Sequence, residues 1–448
     1  MTRTIHITPR PAPSDPIPTG AQAGASHHQH PVVPTVLAAP HQISRRPRDA
    51  QEPLVSVVIP TYNRAPFLLQ AIESVLGQTY QNVEVIVVDD GSTDGTSAAL
   101  HPYLDRITYI QQDNRGASVA RNVGIAASNG EFIAFLDSDD LWLPDKLSAQ
   151  LSLLHSHPEI ALVGGHALIL GDAPDSTPHL FSDYNGTIVP FEQVLLDTPL
   201  MTPTIVVRRS CLPDGAPFTP GLRFGEDWEL YLRVALAHPV GFIPKVMAHV
   251  RRPGDNITTV LASQPQVDLR LQNRLHVINH ICSLLPSGQA RRNALRAKAE
   301  AREYAETAIP SYVNGEFRLG AERLATAARL DPATWQDGEE LVQLAVHYFK
   351  VLAKVRGRGE AARYLDQLFR HLPPAVRNRP RFQRQVYSDA HMALAFGYYS
   401  RGEFGCVLPE VLHGIINRPA WLSNPGVRSI IARSLLPWLR SAPSAGGV

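Results

Sequence analysis

From Pro53 to about Ile257, short apolar runs alternate with longer stretches of helical period. Val55–Pro60 and Glu84–Asp89 are continuous apolar runs ending in polar residues, as strands buried on both faces of a parallel sheet are. Between them Phe67, Leu68, Ala71, Ile72, Val75 and Leu76 fall on one face, which predicts a helix over Pro66–Gly77. Ser92-Thr93-Asp94 offers a cap for a second helix. A short strand, Ile107–Ile110, leads to a helix from about Ala117 to Ala127. Residues 131–140 then read as an apolar strand that stops abruptly at Asp137, Asp139 and Asp140, before a helix over Lys146–His155. The alternation predicts an α/β fold, a mostly parallel doubly wound sheet whose ligands sit beyond the strand C-termini. Those ends are Pro60–Arg64, Asp89–Ser92 and Asp137–Asp140, so the polar residues converge on one edge.

Beyond about residue 258 the pattern turns helical and stays so. Gly315-Glu316, Gly359-Glu360 and Gly402-Glu403 recur at spacings of 44 and 43 residues, each between two amphipathic stretches. The second stretch of each pair stops at Pro332, Pro373 or Pro419. Glycine in the turn and proline after the second helix predict repeated helical hairpins. The first, Tyr312 through Pro332, resembles a tetratricopeptide unit in Leu324, Ala327 and the Leu330-Asp331-Pro332 ending, although the period is longer. An ordinary helical bundle is the competing reading. Residues 1–52, rich in Pro, Ala, His and Thr without an apolar period, read as a disordered arm. The expected organisation is therefore an arm (1–52), an α/β domain (53–258) and an all-α repeat-like domain (259–448).

Composition narrows the function classes. The 448 residues carry Lys+Arg 42 against Asp+Glu 41, a formal net charge of +1, so no global basic field points to nucleic acid as a partner. Cys211, Cys282 and Cys406 are scattered, which fits a reducing compartment and makes no zinc ligand set. His27-His28-Gln29-His30 reads as a solvated polar patch or a stray metal binder. Apolar runs have strand length and none approaches a membrane span, so the expectation is a cytoplasmic protein with room for a peripheral membrane contact.

Several residues could carry chemistry. Asp137–Asp140 is either an acidic turn or the seat of a divalent cation, because Mg²⁺ commonly shares one or two carboxylates with substrate phosphates. In Asp89-Asp90-Gly91-Ser92 a carboxylate can accept from a base N–H or a ribose hydroxyl, or merely shape a strand-to-helix turn. Glu226-Asp227-Trp228 opens an amphipathic helix; two acids there suit the helix dipole, or one is a general base. Trp228 is a sugar platform or a core residue. Arg121 is a nucleotide or phosphate ligand, or a snorkelling surface arginine. Gly357-Arg358-Gly359-Glu360-Ala361-Ala362 mimics a dinucleotide fingerprint, but no strand precedes it.

Together these segments resemble family 2 glycosyltransferases of the GT-A fold. The motifs, in the family's order, are Val55 through Arg64, Val87 through Thr96, Asn114-Arg115-Gly116 through Ala120-Arg121-Asn122, Phe135 through Asp140, and Gly225-Glu226-Asp227-Trp228-Glu229-Leu230. They cover about residues 53–258. The resemblance implies transfer of a sugar, with inversion, from a nucleotide-sugar donor (a UDP-sugar first) to a glycan, lipid-linked or protein acceptor. It implies that Pro60, Tyr62 and Asp90 hold the nucleoside with Arg121 nearby, and that Asp137 approaches the ribose. Asp139 would bind Mg²⁺ or Mn²⁺ at the diphosphate, Asp227 would be the base, and Asp140 would only cap the following helix. Relatives often carry an aromatic-Arg-x-His segment near the domain's end; here Pro253 takes the histidine's place, with Arg251, Arg252 and His249 beside it. That departure implies weaker metal dependence, or an arginine on the diphosphate. Donor and acceptor contacts would lie in loops such as Gly171–Pro199. The helical domain would bind a partner, orient the acceptor or mediate self-association. Two other readings stay open. A sugar nucleotidyltransferase normally has a glycine-rich loop where this chain has Pro60–Arg64. A catalytically silent sugar-binding or scaffolding protein would work through its helical tail.

Overall fold

The computed structural model describes residues 35–38, 52–171, 179–252, 263–286, 288–335, 339–374, 376 and 379–441. The His27–His30 cluster and residues 253–256 lie outside them, as does 172–178 of the expected variable loop. The chain divides into two compact units, residues 1–256 with 276–287, and residues 257–275 with 288–448.

The first unit is built on a mixed sheet. Its strands are β1 (Thr35–Ala38), β2 (Val55–Thr61), β3 (Val83–Asp89), β4 (Thr108–Gln111), β5 (Phe132–Phe135), β6 (Leu141–Trp142), β7 (Leu162–Gly171), β8 (His179–Leu180), β9 (Ile188–Val189), β10 (Val206–Arg208) and β11 (Val240–Arg252). The order is β1-β4-β3-β2-β5-β10-β7-β11-β6, with β8 on β7 and β9 on β11. Strands β4, β3, β2 and β5 run parallel, as the apolar runs predict, and β2 is buried along its whole length. The order places β2 beside β5, where the winding reverses, the position at which doubly wound sheets bind ligands beyond their strand C-termini. Antiparallel β10 joins this half to the parallel pair β7 and β11. Thr35–Ala38, inside the stretch read as a disordered arm, pairs antiparallel with β4.

Helices fill the crossovers: α1 (Ala65–Leu76), α2 (Thr96–Ala99), α3 (Ala117–Ala127), α4 (Lys146–Ser156), α5 (Phe191–Asp197) and α6 (Glu226–Ala237). Helix α1 buries Leu68, Ala71, Ile72 and Val75, within the predicted face. Asp94 does cap, but it serves two helix starts: it accepts from the Ala65 N–H (3.1 Å) and the Thr96 N–H (3.2 Å). The helix it was expected to begin is only four residues long. Helix α3 lies so close to β2 that a Cβ on Gly124 would stand 2.3 Å from Val58 Cγ1. Gly124→Ala should therefore destabilise the unit by about 1–2 kcal/mol, because overpacking exceeds the roughly 1 kcal/mol gain in helix propensity. Urea unfolding checks this, and an unchanged or higher midpoint would refute it.

Behind the sheet edge, Lys146 is fully buried, its Nζ 2.8 Å from Gln150 Oε1 and 4.0 Å from the centre of the Trp142 ring. Burial pushes this ammonium well below the ordinary lysine range. The folded protein thus binds fewer protons here than the unfolded chain, so stability rises with pH between the depressed value and about 10.4. Lys146→Met should remove this slope, up to about 1.4 kcal/mol per pH unit. Urea titrations at pH 7 and 9 read the difference; parallel behaviour of variant and wild type would refute it.

The second unit is helical: α7 (Gln264–Leu284) begins in it, followed by α8 (Gln289–Val313), α9 (Phe317–Leu330), α10 (Pro332–Trp335), α11 (Glu339–Val355), α12 (Arg358–Arg370), α13 (Arg379–Ser400), α14 (Phe404–Asn417) and α15 (Pro425–Ser441). The pairs α8–α9, α11–α12 and α13–α14 are the expected hairpins, and α9, α12 and α14 all end before the marker prolines. One turn departs from the pattern. Gly315 and Gly402 have the left-handed φ a turn requires, but in the middle hairpin that residue is Gly357, and Gly359 sits inside α12. A core including Ala308, Leu324, Trp335, Phe349, Leu365 and Phe382 holds the first two hairpins together with α13 of the third.

Candidate active site

The first wall of the candidate site is made by the tips of β2 and β3. Thr61 pairs with Asp89, and the Asp90 N–H donates to the Thr61 carbonyl (2.9 Å). Asn63, in a left-handed conformation (φ 52°), clips the two tips: its N–H donates to Ser92 Oγ (2.9 Å) and its Oδ1 accepts from the Thr93 N–H (2.7 Å). Asp89 is buried and bound to the Tyr109 hydroxyl (2.7 Å) and the Ser92 N–H (2.8 Å), which makes it a structural residue. Asp90 accepts from Gln112 Nε2 (2.6 Å) and the N–H groups of Arg115 (2.9 Å) and Gly116 (2.7 Å). A carboxylate offers about four acceptor positions, so about one is left for a ligand. Pro60 is the penultimate residue of β2, and Tyr62 beyond it is 48% exposed, an aromatic face presented to solvent.

The second wall begins where β5 ends. Arg121, on the inner face of α3, is 5% exposed, so it is not a surface arginine. Its Nη2 donates to Asp137 (2.8 Å), its Nη1 donates to Glu226 (3.1 Å), and its guanidinium lies 5.2 Å from the Phe218 ring centre. Asn122, next in sequence, holds that phenylalanine by both backbone groups, at 2.7 and 2.9 Å. Burial alone would lower the Arg121 pKa, but the charges of Asp137 and Glu226 outweigh it and raise it. A single cation thus ties the β5 tip to the start of α6, and its bond to Glu226 spans 105 residues of sequence.

Asp137 keeps 33% of its side chain exposed, and Asp139 is partly exposed. Burial and then the Asp137 charge raise the Asp139 carboxyl, against the opposing charges of Arg64 and Arg251. Asp140 is buried and pushed well above the carboxylate range by burial, then by Asp137 and Asp139. Asp140 does not cap α4: its Oδ1 accepts from the Arg251 N–H on β11 (2.9 Å), and α4 has no side-chain cap. The Arg251 guanidinium lies 5.4 Å from the Phe67 ring centre, donates to Gln70 Oε1 (2.6 Å) and leaves Nη1 buried without a partner.

Among the described residues no group of three or more His, Cys, Asp or Glu side chains could hold a metal by itself. The donor set nevertheless fits a cation completed by phosphate oxygens: hard carboxylates, of which Asp139 and Asp140 are raised by burial and then by neighbouring charge, with Asp139 partly open. His249 is half-buried in β11 between Leu141 and Leu168, and Pro253 is outside the described residues.

Asp227, in the first turn of α6, completes the edge. Its Oδ1 accepts from the Trp228 N–H (2.7 Å) and its Oδ2 from the Thr202 hydroxyl (2.9 Å), which also meets the Tyr231 hydroxyl (3.1 Å). Trp228 is a core residue, 2% exposed, with its Nε1–H on the Val194 carbonyl (2.7 Å). Burial and the Asp227 charge raise the Glu226 carboxyl, which Arg121 opposes. Glu226, Thr202 and Tyr231 escaped the sequence reading. Glu226 stood inside a motif without a role, and nothing local marks Thr202.

Known proteins resemble this chain over its α/β part. The family described as glycosyl transferase family 2 matches residues 56–211. An "uncharacterized glycosyltransferase" of Rickettsia bellii is 36% identical over 213 residues, 47% of this chain and 30% of that protein. The chain thus spans about a third of the length of the first relatives it matches. The Bacillus subtilis protein described as "putative teichuronic acid biosynthesis glycosyltransferase TuaG" is 33% identical over 186 residues, 40% of this chain and 71% of that one. A solved structure of S. aureus TarS 1-349 in complex with UDP-GlcNAc superposes with a TM-score of 0.49 at 20% identity, covering 70% of this chain and 91% of that one. With the matched segment running from the first buried strand past β10, and with most of one relative covered at this identity, the chain belongs to glycosyl transferase family 2 and carries its GT-A type of α/β fold.

Proposed function

We propose that the α/β domain, residues 53–258, transfers a sugar from a nucleotide-sugar donor to an acceptor hydroxyl, with inversion at the anomeric carbon. The observation that carries this reading is the buried Arg121 bridge between Asp137 and Glu226, because it sets a donor-side carboxylate and the Asp227 turn on one edge. In this reading Tyr62 and Pro60 flank the base, and Asp90 accepts one of its N–H groups. Asp137, held by Arg121, accepts from the ribose; Arg121 itself acts by positioning, since both its ends are engaged. Asp139 would hold the divalent cation, Mg²⁺ or Mn²⁺. That ion, when bound, supplies positive charge where the departing diphosphate becomes negative. Asp227 takes the acceptor's proton as the new oxygen–carbon bond forms on the face opposite the breaking one.

UDP-sugars are the first donors to test, and the name of the TuaG relative makes a polysaccharide the first acceptor. The helical domain, residues 259–448, would present an acceptor or bind a protein partner, a second copy of the chain included. No described helix is long and apolar enough to cross a membrane. A screen of nucleotide-sugars for nucleoside diphosphate release, with Asp139→Ala as control, tests the reading. Release of pyrophosphate from a nucleoside triphosphate and a sugar phosphate would replace it with nucleotidyl transfer.

A further inference from the structure

We propose that Thr202 is the positioning residue of Asp227, the last member of a hydroxyl relay that starts at Tyr231. The proposal rests on the assignment of Asp227 as general base. The direction of the relay follows from proton counting. An ionised carboxylate only accepts, so the single Thr202 proton goes to Asp227 Oδ2 (2.9 Å), and Tyr231 must donate its own to Thr202 Oγ1 (3.1 Å). No proton leaves the relay during the reaction; it fixes the carboxylate while Asp227 takes the acceptor's proton. With the Trp228 N–H on Oδ1, each oxygen has one internal donor and keeps acceptor capacity for the incoming hydroxyl.

Thr202 is itself held from behind. The 3₁₀ turn Thr202–Thr204 is bolted at two carbonyls: Trp142 Nε1–H donates to Pro203 (2.6 Å) and Gln150 Nε2–H donates to Thr204 (2.6 Å). The Gln150 amide is oriented in turn by Lys146 Nζ (2.8 Å). Tyr231 is 1% exposed, a buried hydroxyl that the proposed chemistry otherwise leaves unused. The other groups facing Asp227 are Glu226 on its own helix, Arg121 from α3 and, around Tyr231 and Arg121, Asp137 from the β5 tip. Their fields persist whether or not residue 202 carries a hydroxyl, so removing that hydroxyl isolates the relay.

A donated hydrogen bond favours the charged form of a carboxylate over its protonated form. Thr202→Val should therefore move the acid limb of the kcat/KM profile upward. It should also lower kcat about tenfold, because the carboxylate loses its fixed aim. Thr202→Ser should restore both. Tyr231→Phe should shift the limb the same way by less. The double variant Thr202→Val/Tyr231→Phe leaves no orphaned phenol and should match Thr202→Val alone. UDP affinity, measured by calorimetry, should be unchanged in all four. An acid limb that stays put in Thr202→Val and in the double variant, or a serine that fails to rescue, overturns the relay. The control separates the two ideas: if Asp227→Asn is inactive while Thr202→Val has the wild-type limb, only the relay falls. If Asp227→Asn still transfers sugar, the base assignment falls and takes the relay with it.

Discussion

Asp227→Asn should slow sugar transfer by about 10²–10⁴-fold while leaving the affinity for UDP unchanged. The substitution suits the question because it removes basicity and little else. The amide oxygen can still accept from the Trp228 N–H, and its NH₂ can donate to Thr202 Oγ1, with the threonine turning its proton to Tyr231. Arg121 keeps its two carboxylate partners, Asp137 and Glu226, so the β5 tip stays tied to α6. Nucleoside diphosphate release gives the rate and calorimetry gives the affinity. Activity near wild type would move the base elsewhere. A parallel loss of UDP affinity would mean that Asp227 serves the donor rather than the acceptor.

Asp139→Asn should have opposite effects on catalysis and on stability. Transfer should fall at least about 10²-fold, because the carboxylate proposed to hold the cation at the leaving group is gone. The ligand-free protein should become more stable by about 0.5–2 kcal/mol, since three neighbouring carboxylates become two. The sign of the pH dependence follows from the raised carboxyls. Asp139 and Asp140 hold protons more tightly in the folded than in the unfolded state. Their contribution is fully present below the ordinary carboxylate value near 4 and is lost as pH rises through the raised values. The variant should show a flatter fall over that range. Thermal melts with and without Mg²⁺ and UDP test the pair: the ligands should raise the wild-type midpoint by more than the variant's. A variant less stable than wild type in the absence of ligands would refute the repulsion argument.

How much of this could be read beforehand depends on distance along the chain. Strands β2 to β5 were legible because a strand buried on both faces must be largely apolar, and Val57–Pro60 and Val85–Val88 are continuous apolar runs. The other half of the sheet was not. Strand β10 has three residues and β6 only two, and both exist because longer strands offer them an edge. No local pattern records that. The carboxylates Asp137, Asp139 and Asp227 stood out as charges at element ends. Their connection did not, because the Arg121–Glu226 pair joins positions far apart and a buried guanidinium looks, in sequence, like a solvated one. Asp140 shows the same limit: an acid before a helix suggests a cap, but β11 brings an amide within reach that the sequence does not announce. The middle helical turn failed for a smaller reason. Gly357 and Gly359 differ by two positions, and only the backbone says which one adopts the left-handed conformation.

The chain contains only five lysines, and the one inside the α/β unit's core offers a built-in reporter. Burial disfavours the charged form of the Lys146 amine and so favours its nucleophilic form, yet Lys146 is sealed from solvent, whereas Lys245 has half its side chain exposed. An acylating reagent should therefore mark Lys245 at once and Lys146 only at the rate at which the unit opens. Mass spectrometry of that single site would clock opening of the α/β core separately from the helical domain, without a dye, a tag or a mutation.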